Sequence, residues 1–514
     1  MKQVNRSVCA LAAVMTAISA LATPSLIPLP RRIVAQKGAF AYSGDLSAAL
    51  AQVKYAEDAT VPTEGYRLTI TTNDITIVAS DAAGKYYAVK TLRQLANVST
   101  LGVQVPCMEI EDSPSYPWRG VHLDECRHFF GKEVVKTVLN LMSQYKLNRF
   151  HWHLTDDQGW RLEVPGYPEL VTYGAVRSSS VAYRKRAANS NTADADKLNG
   201  EKYGPYYYTE DDIREIVAYA AERHIQVVPE IELPGHVAAA LAAYPNFACK
   251  PENFAAREPR IVYGIAKDVL CVGNDDAIRF MEDVFDYVCR IFPGDVVHIG
   301  GDECPPDRWK TCPKCQARIS AEGLGDYQGL QPWLTRHFMD FLTQRGKRAL
   351  GWDECLLGDV PQSAIGMNWR EEDADAGAGH ELISGAAAAV RGHDIVMTPC
   401  SYCYLDYRQN LPVDYDPFFY IGGNISLERC YRFDPCAGVP DSAKSHILGG
   451  QGNNWTEYTY NRFDLEWKMW PRMLALSEAL WLGEAKPGYK DFRGRAMQHR
   501  SQLMRQGVNC APVP

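Results

Sequence analysis

From residue 118 onward the chain alternates short β-rich runs with stretches of helical period. The runs number eight: 118–124, 148–156, 226–232, 296–303, 348–354, 364–370, 395–400 and 446–455. Amphipathic patterns at 133–146, 209–223, 275–292 and 332–346 lie between several of them. Strands separated by helices pair in parallel, and eight such units close into a ring. The expected fold class is therefore α/β, with a (β/α)8 TIM barrel over 114–514. Almost every run ends in Asp, Glu, His, Trp or Arg, the end at which such barrels build their sites. The polar, aperiodic stretch 176–208 predicts a long loop over the mouth.

Residues 23–113 have a smaller, mixed texture. Tyr66, Leu68 and Ile70 alternate with polar residues, as do Ile75 and Ile77, and Asn73-Asp74 suits the turn between two strands. Tyr86, Val89, Leu92 and Leu95 then fall at helical spacing within 83–97. This predicts a small α+β domain, closed by the Pro-punctuated stretch 112–117. Ahead of it, Lys2 and Arg6 precede an apolar stretch from Val8 to Leu21, followed by small residues at Ala20 and Ala22. That is the pattern of a signal peptide over 1–22, with a retained anchor as the alternative. The mature protein is expected to be exported, periplasmic or secreted.

The balance of 54 basic against 62 acidic residues gives a formal charge of −8. An acidic chain lacks the basic patches that hold nucleic acid or anionic membrane, so neither is an expected partner. Of 15 cysteines, Cys304, Cys312 and Cys315 sit close together. A zinc site would need a fourth nearby ligand, and no second C-x-x-C exists, so no metal ligands and no cofactor are expected. In an exported protein these cysteines read as one or two disulfides holding a loop, or else as free buried thiols.

Chemistry concentrates at Val297-His298-Ile299-Gly300-Gly301-Asp302-Glu303. The glycines permit close approach or unusual dihedrals at the barrel mouth. Two adjacent carboxylates repel, which raises at least one pKa and favours a proton donor near neutrality. A bare Asp-Glu pair also suits a helix N-cap or a loop; a Gly-Gly at a strand end turns the reading toward catalysis.

His-x-Gly-Gly-Asp-Glu resembles the active-site signature of glycoside hydrolase family 20, the retaining β-N-acetylhexosaminidases. Further motifs agree in order and spacing. They include Arg119-Gly-Val-His-Leu-Asp124-Glu-Cys-Arg127, His151-Trp-His-Leu-Thr-Asp156, Pro229-Glu-Ile-Glu-Leu-Pro-Gly-His236, Gly351-Trp352-Asp353-Glu354, Tyr404-Leu405-Asp406 and Gln451-Gly-Asn-Asn-Trp455-Thr-Glu457. The wording departs from the family's at Glu232, where Asp is usual, and at Gly452-Asn453-Asn454, in place of Ala-Asn-Leu.

Most glycosidases place two carboxylates on different strands, about 5 Å apart when retaining, whereas this family uses the substrate's own acetamide. The resemblance implies exo-release of a terminal β-linked N-acetylglucosamine or N-acetylgalactosamine through an oxazolinium ion, with a glycan as the partner. It implies Glu303 as general acid and then base, Asp302 holding the acetamide N–H, and Tyr404 steering the acetamide oxygen. Trp352, Trp369 and Trp455 would wall the sugar, Arg127 and Glu457 would grip hydroxyls with Asp406 as a further polar contact, and Asp156 with His236 would form a relay behind Glu303. Two rival readings stand beside it. His151-x-His153 could belong to a metal-dependent barrel hydrolase, and the indoles with Arg127 would equally serve an inactive sugar-binding protein.

Overall fold

The computed structural model describes residues 24–183, 197–358, 360–371, 383–412, 416, 418 and 420–513. The apolar N-terminal stretch read as a signal peptide lies outside them. The chain divides into two compact units, one ending at Ser113 and the other beginning at Pro114.

In the first unit, alternation at Tyr66–Ile70 and Ile75–Ala79 puts Leu68, Ile70, Ile75 and Ile77 on one buried face. The helix Ala82–Leu95 contributes Tyr87, Ala88, Leu92 and Leu95 to the core, and Asp81 caps it by accepting from the Gly84 N–H at 2.7 Å. A Cβ on Gly84 would lie 2.1 Å from the Gly65 carbonyl oxygen, so only glycine fits there. The sheet runs Arg32–Tyr42, Gly102–Asp112, Tyr66–Ile70, Ile75–Ala79, Lys54–Glu57. Its long strand Arg32–Tyr42 escapes the sequence pattern for a physical reason. Most of its residues are exposed on this edge and its register slips between Ala35 and Ala39, so no period of two develops.

The second unit is a closed parallel barrel of eight strands, Trp118–Asp124, Arg149–His153, Gln226–Glu230, Val296–His298, Arg348–Trp352, Ile365–Asn368, Asp394–Met397 and Ile447–Gly452. Closure is made by the last strand against the first, with Gly450 opposite Arg119. Helices Lys132–Gln144, Glu210–Ala221, Asp275–Ile291 and Leu330–Thr343 occupy the positions expected from their periods. Seven of the eight strands are shorter than their runs, because the polar residues at the run's end leave the ladder and turn over the barrel mouth; Trp118–Asp124 alone keeps its full length. Arg472, fully buried in the helix Arg472–Leu482, donates to the carbonyls of Leu405, Tyr407 and Ile425, holding the segment that follows the seventh strand.

The stretch 176–208 departs from a plain loop. Val181–Tyr183 pairs with Lys197–Leu198, and Arg177 bridges to Tyr203. The buried Arg177 guanidinium donates to the carbonyls of Arg127 and Gln158, which fastens this segment beside the mouth. Residues 184–196 lie outside the described set.

Candidate active site

At the end of the fourth strand the backbone takes three left-handed conformations in four residues. Gly300 has φ 65°, Gly301 105° and Glu303 45°. A Cβ on Gly300 would fall 1.9 Å from Glu232 Oε2, and one on Gly301 would fall 2.1 Å from Cys355 Sγ. The glycines therefore serve both dihedral and space. The turn presents Asp302 and Glu303 on one side of a cavity, each approaching the same imidazole. His236 Nε2 is 3.6 Å from Asp302 Oδ2 and 3.5 Å from Glu303 Oε2. Glu303 keeps 33% of its side chain exposed, against 12% for Asp302.

His236 also sits in the left-handed region, at φ 49°, and its other nitrogen faces Asp156 at 3.5 Å and Asp157 at 3.4 Å. Burial opposes its charge, but the surrounding carboxylates, Asp156 foremost, prevail and hold it well above the usual histidine range. The resulting imidazolium sorts the two acids. Glu303 is lowered, because the hydrogen bond and charge of His236 outweigh burial. Asp302 is raised to about 6, by burial first, with His236 opposing and Glu303 adding repulsion. The expected raised carboxyl thus exists, but it is Asp302 and not the adjacent Glu303.

Asp156 stands behind the cavity. Its carboxylate is 2.9 Å from both Arg127 Nη2 and His153 Nε2, and it accepts from the Asp157 N–H at 2.5 Å. Arg127 spans from it to Asp124 at 3.2 Å and Glu457 at 3.8 Å, with its guanidinium 5.0 Å over the Trp455 ring. Trp352 donates its indole N–H to Glu230 Oε1 at 2.8 Å, and Trp369 donates to Glu354 Oε2 at 3.1 Å. These bonds fix the ring planes. Tyr404 stacks beside Trp369, centroids 6.2 Å apart and 21° from parallel.

The cavity so enclosed has a volume of about 310 Å³. Of the eleven residues singled out from the sequence, all line it except Asp156. Four buried acceptor atoms at this site, Asp302 Oδ1, both oxygens of Asp406 and Glu457 Oε2, accept no hydrogen bond among the described residues. Buried polar atoms without partners are costly, so a pocket that keeps them is built for a ligand rich in donors. Burial, with Glu457 adding repulsion, raises Asp406 well above the carboxylate range.

Several contributors carry no sequence signal. Ile265 with Gly264, Tyr407, and Ile421 with Gly422 come from three loops and complete the lining. Beneath the floor, Glu230 lies 2.5 Å from His153 Nδ1, 2.9 Å from His298 Nδ1 and 3.0 Å from His151 Nε2. The rival metal reading fails here on geometry. His151 and His153 are fully buried and turned to Glu230, neither of them lining the cavity, whereas a catalytic metal keeps an open position. Of the two cysteine readings, the disulfides are the one corrected. No disulfide forms among the described cysteines, and Cys304 stands apart from a group made by Cys312 and Cys315 with Cys249 and Cys271. Sequence proximity had suggested the wrong partner because the other two sulfurs arrive from a different loop.

A parallel barrel whose rim gathers paired carboxylates and indoles around a small cavity is the architecture of the barrel glycosyl hydrolases. Residues 116–484 match Glycosyl hydrolase family 20, catalytic domain, and residues 44–113 match Glycosyl hydrolase family 20, domain 2. The chain belongs to glycosyl hydrolase family 20. It is 40% identical over 461 residues to a Beta-hexosaminidase of Porphyromonas gingivalis, covering 88% of this chain but only 55% of that relative's length. A Beta-hexosaminidase of Akkermansia muciniphila is 31% identical over 488 residues, 95% of this chain and 92% of the relative. Among solved structures, the exo β-N-acetylglucosaminidase of Vibrio harveyi, in complex with N-acetylglucosamine, superposes with a TM-score of 0.81. It is 29% identical and covers 96% of this chain and 79% of its own.

Proposed function

We propose that the chain is a retaining, exo-acting β-N-acetylhexosaminidase that removes terminal β-linked N-acetylglucosamine or N-acetylgalactosamine from glycans with help from the substrate's acetamide. The observation that carries this is the placement of Asp302 and Glu303 on one side of a small donor-seeking cavity. Sharing one imidazole nitrogen, they do not straddle a glycosidic bond as acid and nucleophile. A nucleophile from the substrate removes that difficulty. The cavity volume, about 310 Å³, suits a single sugar residue, which favours attack at chain ends.

In this reading Asp302, through its unpartnered Oδ1, accepts the acetamide N–H and balances the charge that develops on the oxazoline ring. Tyr404 aims the acetamide oxygen at the anomeric carbon, and Trp352, Trp369 and Trp455 cover the apolar C–H faces of the sugar. Arg127, Asp406 and Glu457 bind hydroxyls. Glu303 protonates the leaving oxygen and then activates water. Its lowered pKa belongs to the open site. A sugar covers the exposed part of its side chain, and burial, the largest influence on that group, then pushes it upward. Asp156 orients His236 and does not touch the sugar.

Glu303→Gln keeps the shape and removes the proton. Its kcat/KM on an aryl β-N-acetylglucosaminide is expected to fall about 10³-fold while the melting temperature stays unchanged. Undiminished turnover would overturn the assignment of Glu303 as the general acid. Export is part of the same proposal, supported by the basic start and apolar stretch of residues 1–22. Amino-terminal sequencing of protein recovered from periplasm or medium, with a start near residue 23, is the test.

A further inference from the structure

Four cysteine sulfurs, of Cys249, Cys271, Cys312 and Cys315, lie within 4.8 Å of one another in the barrel unit. Three of the separations are Cys249–Cys315 at 3.7 Å, Cys271–Cys312 at 3.7 Å and Cys271–Cys315 at 3.8 Å. Two disulfides would sort the sulfurs into two close pairs, each about 2 Å apart. Here Cys315 is as near to Cys249 as to Cys271, and Cys271 as near to Cys312 as to Cys315. The even spacing has another explanation. A tetrahedron with zinc–sulfur bonds of about 2.3 Å has edges of about 3.8 Å.

The backbone around the sulfurs brings them to one point. Cys312-Pro-Lys-Cys315 opens the helix Pro313–Glu322, a tight turn that brings two sulfurs to one point. The other two are placed by a bridge between Ala248 and Leu270 and by the Cys271 N–H donating to the Phe247 carbonyl at 2.9 Å. Gly273 lets these pieces meet, since a Cβ there would lie 2.3 Å from the Cys315 nitrogen. Its own N–H is directed at the sulfurs of Cys271 and Cys315. Three of the four cysteines are buried and the fourth is half-buried.

We infer that Cys249, Cys271, Cys312 and Cys315 bind one structural zinc ion as four thiolates. All four positions are filled by protein, so the ion has no open site for chemistry. Its place gives it a task. It joins the segment between Cys249 and Cys271, whose Gly264 and Ile265 line the cavity, to the segment that follows Glu303. The same two segments are tied by Arg308 to Asp268 at 2.7 and 2.9 Å and by the Trp309 indole to the Leu270 carbonyl at 2.9 Å. Zinc does not change redox state, and a bound thiolate is shielded from the oxidation that free cysteines meet outside the cytoplasm.

Elemental analysis of the full-length protein, purified without chelator or reductant, is expected to find one zinc per chain. A thiol-reactive mercurial should release it to a zinc-sensitive dye, and the denatured mass should show these four cysteines reduced. Two disulfides among them in peptide mapping, zinc below about half an equivalent, or iron as the bound metal would each overturn the proposal. Cys312→Ser and Cys315→Ser should lose the zinc, while Cys289→Ser, on the neighbouring helix, should retain it. Should the serine variants fail to fold, cobalt-loaded wild-type protein still decides the matter. Intense thiolate-to-cobalt charge-transfer and tetrahedral d–d bands are expected, and their absence in cobalt-containing protein overturns the site. Metal removal should lower the melting temperature by about 5 °C or more.

Discussion

Asp406 shows how a single buried side chain can cost stability. It is buried, neither oxygen accepts a hydrogen bond among the described residues, and burial and the nearby Glu457 hold its pKa well above the usual range. An acid raised in the folded state takes up protons on folding, so its ionised form opposes folding at neutral pH. Asp406→Asn is expected to raise the melting temperature at pH 7 by about 1–3 °C and to raise KM at least tenfold on an aryl N-acetylhexosaminide. A variant that melts lower with KM unaltered would show the carboxylate to be structural. The motif Tyr404-Leu405-Asp406 made this residue legible in the sequence. Its lack of partners was not, because that depends on what Arg472 and the neighbouring loops leave around it.

Among the elements, the turn after the fourth strand carries the most constraint. Gly300 cannot gain a methyl group without meeting Glu232, itself longer than the Asp usual in the family, and its φ of 65° already disfavours any other residue. Gly300→Ala is expected to cost about 2 kcal/mol or more, seen as a melting temperature lowered by about 2 °C or more, and to depress kcat by displacing Asp302 and Glu303. Equal stability and turnover in that variant would refute the close approach. The Gly-Gly-Asp-Glu sequence disclosed the strained turn and its carboxylates. It did not disclose which of them is raised, because His236 decides that, and His236 is carried by the third strand's loop at its own left-handed φ.

At the scale of the whole molecule, the buried titratable groups under the barrel mouth make stability depend on pH. His153 is raised to about 10, since Glu230 and Asp156 together outweigh its burial. Glu125 is raised to about 8, chiefly by burial. Each holds more protons folded than unfolded, so each contribution is complete at low pH and is lost as pH rises. For Glu125 the loss runs from the ordinary carboxylate range to about 8, and for His153 from about 6.5 to about 10. His236, also raised, acts with the same sign. The melting temperature is expected to fall steadily between pH 7 and pH 10 in a thermal-shift series; a flat or rising profile would contradict the buried charge pairing of His153 with Glu230.

The amino-acid sequence by itself determined the strand count and the parallel barrel, because those follow from local period, and it named most of the cavity-lining residues through motifs, a few residues long, that resemble the family's. It could name Asp302 and Glu303 as a pair, since their adjacency is covalent. Only the tertiary structure decided which carboxyl is raised, that His151 and His153 serve Glu230 beneath the floor, and that four cysteines converge. Cys249 and Cys315 are 66 positions apart, and their sulfurs come within 3.7 Å. No local pattern encodes that distance. It is set by the packing of two loops on a closed barrel, where each strand end fixes its loop relative to all the others.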